Sequence, residues 1–228
     1  MNDIATSLEN VRARIAAAAA ASGRPPESIR LVAVSKTRPE TDIAAAAAAG
    51  QRDFGENHLQ EALPKIAALR DRALVWHFIG PIQSNKTRDI AAHFDWVHSV
   101  DRLKIARRLS RQRPAAAGPL NICLQVNIDM EATKSGAPPD EATGLALEIA
   151  ALPRLRLRGL MAIPAPATEM EMQRRPFAAL RRLRDELNAS GLDLDTLSMG
   201  MSDDLEAAIA EDATIVRVGT AIFGKREA

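Results

Sequence analysis

The chain has 228 residues, 46% of them hydrophobic, which suits one large α/β domain (residues 1–228) better than two small ones. Its 30 basic and 29 acidic residues leave a net charge of +1, too weak a field to draw in nucleic acid or an anionic membrane, and with 3% aromatic residues and no Tyr it has little to build a base-stacking platform from. The one cysteine, Cys123 in the apolar run Ile122–Leu124, excludes an intramolecular disulfide and a cysteine-based zinc site, suits a reducing cytoplasm, and is expected to pack in the core.

Ile4, Leu8, Val11 and Ile15 share one face of a first helix that ends near Gly23, with Pro25 and Pro26 beyond it. The opening Met1-Asn2-Asp3-Ile4 has neither a basic n-region nor an apolar run, so no signal peptide is expected, and the alanine runs 16–21 and 44–49 are too short to cross a bilayer. Strands and helices then alternate. The strands are Ile29 to Val34, Asp53 to Gly55, Leu74 to Ile79, Trp96 to Ser99, Asn121 to Asn127, Leu155 to Met161, Leu194 to Ser198 and Ile215 to Val218. Between them lie helices from about Pro39 to Ala49, Asn57 to Arg70, Ser84 to His93 and Asp101 to Gln112. A further helix opens at Pro138-Pro139, another runs from Phe177 to Leu187, and a last is opened by Asp203 and Glu206 at capping-box spacing. Strict alternation means a parallel sheet with helices outside, and eight units point to a closed (β/α)8 TIM-type barrel with an extra N-terminal helix; an open doubly wound sheet is the competitor. The softest stretch is Ala115 to Pro119, and there is no nucleotide-binding glycine fingerprint.

In such a barrel the C-terminal strand ends converge on the face that carries chemistry. Lys36 lies two residues past the first strand, where an amine would enter the mouth and lose part of its hydration; position alone also allows a surface lysine. Lys65, Lys86, Lys104, Lys134 and Lys225 do not directly follow a buried strand. The glycines and hydroxyls of Ser198-Met199-Gly200-Met201-Ser202 and Gly219-Thr220 leave strands seven and eight, where barrels often hold phosphate, though such residues also make ordinary turns. Alternation puts Arg217 on one side of strand eight, facing the lumen as a fixed cation or pairing with a core carboxylate such as Asp195. His77 reads as a satisfied core histidine. His58, His93 and His98 lack metal-ligand spacing, and the basic run Arg102 to Arg113 reads as a solvated helix face. Met packing is the default for Met199 and Met201.

At these residues the chain resembles the pyridoxal phosphate homeostasis proteins, the YggS/PROSC family. The resemblance is carried by Ala33-Val34-Ser35-Lys36-Thr37, Phe54-Gly55-Glu56-Asn57, the run Trp76 to Lys86, Val126-Asn127-Ile128 and Lys134-Ser135-Gly136. Gly159-Leu160-Met161, Leu197 to Asp204 and Arg217 to Gly224 complete it. It implies a barrel like the N-terminal domain of alanine racemase, with pyridoxal 5′-phosphate (PLP) held as an imine on Lys36. It further implies phosphate binding by Ser198, Met199, Gly200, Gly219 and Thr220, Arg217 at the pyridine nitrogen and Asn57 beside the ring. His58 stands where the family often has Tyr.

The resemblance implies a carrier or regulator of free PLP and of amino-acid and keto-acid balance, without established turnover. Its expected partners are PLP and PLP-dependent apo-enzymes, with no nucleic acid and no membrane, and a monomer is expected. A PLP-dependent racemase is the alternative. Racemase chemistry uses a lysine and a tyrosine on opposite faces of the substrate; this chain has no Tyr, so His77 or His58 would have to serve. A PLP-free barrel enzyme acting on a phosphorylated metabolite stays open, as does Lys134 as a second attachment point.

Overall fold

The computed structural model describes residues 3–131 and 133–224, so Met1, Asn2 and Lys225 of the readings above lie outside the described residues. Eight parallel strands close into one barrel in chain order: β1 (Arg30–Val34), β2 (Asp53–Glu56), β3 (Val75–Phe78), β4 (Trp96–Val100), β5 (Leu120–Gln125), β6 (Leu155–Met161), β7 (Thr196–Ser198) and β8 (Ile215–Val218). Closure is made by β8 on β1, with Arg30, Leu31, Val32 and Ala33 in register with Ile215, Val216, Arg217 and Val218, and this removes the open-sheet alternative. The helices are α1 (Ile4–Ala21), α2 (Glu40–Ala48), α3 (Leu59–Ala68), α4 (Thr87–His93), α5 (Leu103–Gln112), α6 (Pro139–Ala150), α7 (Met170–Ala189), α8 (Leu205–Ala210) and α9 (Thr220–Phe223). Among the described residues no helix is long and apolar enough to cross a membrane.

The extra N-terminal helix is α1. Asp3 caps it by accepting from the Ala5 backbone N–H, and its buried face is Leu8, Val11, Ile15 and Ala19. That face packs on α2, α8 and α9. Because α9 is only one turn, α1 covers the barrel wall beside it; each fully buried Leu or Ile there contributes about 1.5–3 kcal/mol.

Strand alternation sorts side chains into two cores. Leu31, Ala33, Phe54, Trp76, Phe78 and Val97 face the helices in the main apolar core. Val32, Trp96, Cys123, Met161 and Ile215 meet in a second, small cluster. Cys123 is fully buried, and burial pushes its thiol up to about 12, which makes it inert packing.

Four local readings change. Helix α7 starts at Met170 rather than near Phe177, because Gln173 donates to the Ala167 and Asp203 carbonyls and Arg174 pairs with Glu211; these contacts carry the helix through Pro176. The capping box before α8 does not form: the Glu206 carboxylate takes two hydrogen bonds from Arg14 on α1, and Asp204 accepts from the Met201 N–H at 2.6 Å. Ala115–Ala117 is a 3-10 turn rather than loose chain. Arg113 is buried, donating to the carbonyls of Ala91, Phe94, Ala117 and Gly118, so it does not belong to a solvated face.

Candidate functional site

The segment carrying Lys36 is held from several sides. Ser35 donates its backbone N–H to Gly55 and its hydroxyl to Glu56 at 2.7 Å. The buried Lys65 ammonium donates to the Ser35 carbonyl and to Glu56, each at 2.9 Å. The next peptide N–H, of Thr37, donates to Glu61 at 3.1 Å. Thr37 itself has φ +65°, which a β-branched residue adopts only under constraint. The sequence did not reveal this strain; it sits directly after the lysine.

Lys36 opens onto a cavity of about 250 Å³ at the C-terminal mouth of the barrel, at the small end for a ligand pocket. Asn57, Arg217, Gly219 and Thr220 line the same cavity, so five of the residues singled out in the sequence come together. Arg217 is buried, donates to the Ser198 hydroxyl at 2.7 Å and the Ala162 carbonyl at 3.0 Å, and has no carboxylate partner among the described residues. Asp195 pairs with Arg158 instead. Burial pushes the Arg217 guanidinium down to about 10, which still leaves it charged at neutral pH.

Ser198, Met199 and Gly200 do not line the cavity. All three are buried; the Ser198 hydroxyl is occupied by Arg217 and by His98 at 2.7 Å, and Met199 packs in the main core. The physical reason is Gly200, whose φ of +92° turns the chain as it leaves β7. A methyl there would meet the Ala208 side chain of α8 at 2.6 Å, so this glycine serves helix packing. The residues beyond the turn, Met201, Ser202 and Asp203, reach the cavity in their place. Ser202 Oγ accepts from the Ala221 N–H, leaving the hydroxyl hydrogen to donate elsewhere. The sequence held one signal for Ser202, its place in the same serine- and glycine-rich run. Arg38, Ile79 and Ile163 are cavity residues that strand-end reasoning missed.

The lining favours an anionic ligand with an amine-reactive end such as an aldehyde. Lys36, Arg38 and Arg217 bring three basic side chains against one acidic one, Asp203. The buried Oδ1 of Asn57, a residue of the wall, lacks a partner among the described residues. Lys134 lines a neighbouring cavity that shares Asn57, Ile79 and Ile163. Burial opposes its charge, but hydrogen bonds to Asp129 and Glu131, both at 3.0 Å, outweigh this and hold the ammonium above the usual lysine range. Neither His58 nor His77 lines the main cavity. His77 is a buried histidine bonded at both ring nitrogens.

Residues 6–227 match the family described as alanine racemase, N-terminal domain. The chain is 62% identical over 227 residues to a protein of Pseudomonas aeruginosa named pyridoxal phosphate homeostasis protein, an alignment covering 100% of this chain and 97% of the relative. A protein of Escherichia coli with the same name is 54% identical over 234 residues, covering 100% and 98%. Among solved structures, PipY of Synechococcus elongatus, determined with PLP bound, is 40% identical, covers 97% of this chain and 100% of that one, and superposes with a TM-score of 0.86.

Proposed function

Because this chain belongs to the family of pyridoxal phosphate homeostasis proteins, we propose that it binds PLP in the mouth cavity and takes part in the intracellular homeostasis of that cofactor. The observation that carries the reading is the convergence of Lys36, Arg217, Gly219 and Thr220 on one basic cavity at the strand ends. In this reading Lys36 supplies the amine that holds the aldehyde carbon. Ser202, Thr220 and the Gly219 backbone grip the phosphate, as hydroxyls and close-approaching peptide N–H groups do. Gly200 and Ser198 act from behind, by turning the chain and by anchoring Arg217, and Met199 by packing. Arg217 faces the pyridine nitrogen and Asn57 stands beside the ring. When bound, PLP supplies an electrophilic carbonyl and an electron-withdrawing ring; an unprotonated ring nitrogen opposite a guanidinium weakens the second property.

The racemase alternative needs a second acid–base group on the far side of the ligand. The chain has no Tyr, and His58 and His77 both lie off the cavity. The carrier reading extends to PLP-dependent apo-enzymes as recipients. Met130, Ile163, Met170, Met172 and Met201, exposed large apolar side chains, all follow strands β5 to β7 on the mouth side. A monomer in a reducing cytoplasm completes the reading.

The test is a spectrum of purified protein before and after borohydride, followed by peptide mass mapping. A visible band that borohydride bleaches, with the reduced adduct on Lys36, is the expected result. Lys36→Ala is expected to lose the band and keep its fold. An adduct on Lys134 alone, or on no residue, sinks the proposal. Deuterium exchange into a panel of amino acids separates carrier from racemase.

A further inference from the structure

The barrel lumen, usually a packed apolar core, holds an unbroken polar chain of which the reading above uses only the Arg217–Ser198 end. Arg217 Nη1 donates to Ser198 Oγ at 2.7 Å. Ser198 Oγ lies 2.7 Å from His98 Nδ1, His98 Nε2 lies 2.9 Å from His77 Nδ1, and His77 Nε2 lies 3.0 Å from Asp53 Oδ1. Ser198, His98 and His77 are fully buried, and Arg217 nearly so. The chain thus runs from the cavity wall to the start of β2, where Asp53 also meets Arg30 at 3.4 Å.

With both rings neutral, the chemistry of the two ends decides where every hydrogen sits. A guanidinium can only donate and a carboxylate can only accept. Ser198 Oγ therefore accepts from Arg217, and its own hydrogen points to His98 Nδ1. His98 Nδ1 then carries no hydrogen, so the ring donates from Nε2 to His77 Nδ1. By the same rule His77 donates from Nε2 to Asp53. Each link holds one hydrogen, and with both rings neutral the pair of Nε2–H tautomers is the arrangement that satisfies all four. A proton added to either ring would either set donor against donor between the rings or leave Ser198 accepting from both Arg217 and His98, with its own buried hydrogen outside the chain. Burial, the largest cause for both rings, moves their titration below the usual histidine range, in keeping with this arrangement.

We propose that Asp53, His77, His98 and Ser198 form a one-way hydrogen-bonded relay through the barrel lumen that fixes Arg217 as a donor at the cavity wall, which makes His98 a positioning residue for the bound cofactor. The relay stands on this chain's own geometry; its consequence for the cofactor rests on the PLP reading. His98 does not line the cavity, so it acts through Ser198 and Arg217 alone.

The first measurement needs no cofactor. Nitrogen-15 NMR of the histidine side chains in PLP-free protein at neutral pH is expected to show His77 and His98 as neutral Nε2–H tautomers. An Nδ1–H tautomer or an imidazolium at either position overturns the relay. The second measurement compares PLP affinity and the position of the visible band in wild type, His98→Leu and His98→Gln. Glutamine can donate toward His77 and accept from Ser198; leucine can do neither. His98→Leu is expected to weaken PLP binding about tenfold or more, the scale of a hydrogen bond to a charged group, and to shift the band; His98→Gln is expected to stay within about threefold of wild type. Should His98→Leu fail to fold, Ser198→Ala removes the same link with the loss of one atom and carries the same expectation. If the broken-relay variant binds PLP as tightly as His98→Gln, the positioning role is wrong. If the wild type takes up no PLP, the cofactor reading and the positioning role fall together, whereas the tautomers still judge the relay.

Discussion

Lys65 is a lysine almost out of reach of water, with 8% of its side chain exposed against 0% for its partner Glu56. The pair fixes the Ser35 carbonyl one residue before Lys36, while Glu56 Oε2 has no partner among the described residues. Burial is the main cause that raises the Glu56 carboxyl above its usual range, and Lys65 opposes that rise. Lys65→Met would strand a buried carboxylate and is expected to cost about 3–5 kcal/mol in denaturant unfolding at neutral pH. The sign of its pH dependence follows. Without Lys65 the folded-state pKa of Glu56 rises further, so the folded form takes up a proton more readily and the deficit shrinks as the solution is acidified. A deficit that grows on acidification would show that another group carries the loss. In the sequence Lys65 was one lysine among several, because a side chain on α3 reaches the end of β1 only once the barrel is closed. Ser198 was legible as a phosphate-loop residue by position, but alternation could not show that its hydroxyl turns inward.

Element boundaries were legible where periodicity is strong and blurred where side chains from elsewhere hold the ends. β6 and β8 run over the residues expected from their apolar runs. β7 is shorter than expected, because Asn188 of α7 takes both the N–H and the carbonyl of Leu194 and holds that residue out of the sheet. At the end of β3, Gly80 packs directly on the backbone of Asn57, and a methyl at Gly80 would collide with the Asn57 carbonyl and Cα. Asn57 borders both cavities, so Gly80 sets where the cavity wall stands. Gly80→Ala is expected to destabilise by about 1–3 kcal/mol, the range for forcing atoms into a packed site, and to weaken PLP binding as Asn57 is displaced. Thermal melts and PLP titration check this together; a variant with wild-type stability and affinity would mean that the loop yields without strain.

At the scale of the whole molecule, two histidines buried as neutral rings tie stability to pH. Both titrate below the ordinary histidine value of 6.5 when folded, so below about pH 6.5 the unfolded chain binds protons that the folded rings refuse. Stability is therefore full above that pH and is lost as pH falls, by up to about 1.4 kcal/mol per unit for each ring. Glu56 acts in the opposite sense nearer the carboxylate range, so the comparison belongs between about pH 7.5 and 5.5. The melting temperature is expected to drop over that interval, and to drop less in His98→Gln; a flat wild-type profile would show that the rings are not held neutral.

Alternating strand and helix patterns, the lysine after the first strand, the glycines after the last two and the arginine in β8 were all set by the sequence alone, because period and composition are local properties of a chain. They suffice for a parallel barrel whose mouth carries glycines, hydroxyls and basic side chains. Closure of β8 on β1, the replacement of Ser198 by Ser202 at the cavity, the burial of Lys65 and the polar chain from Arg217 to Asp53 belong to the tertiary structure. Each depends on residues far apart in sequence meeting across the lumen or between strand and helix, and on where a single positive φ at Gly200 turns the backbone. No local pattern records such meetings.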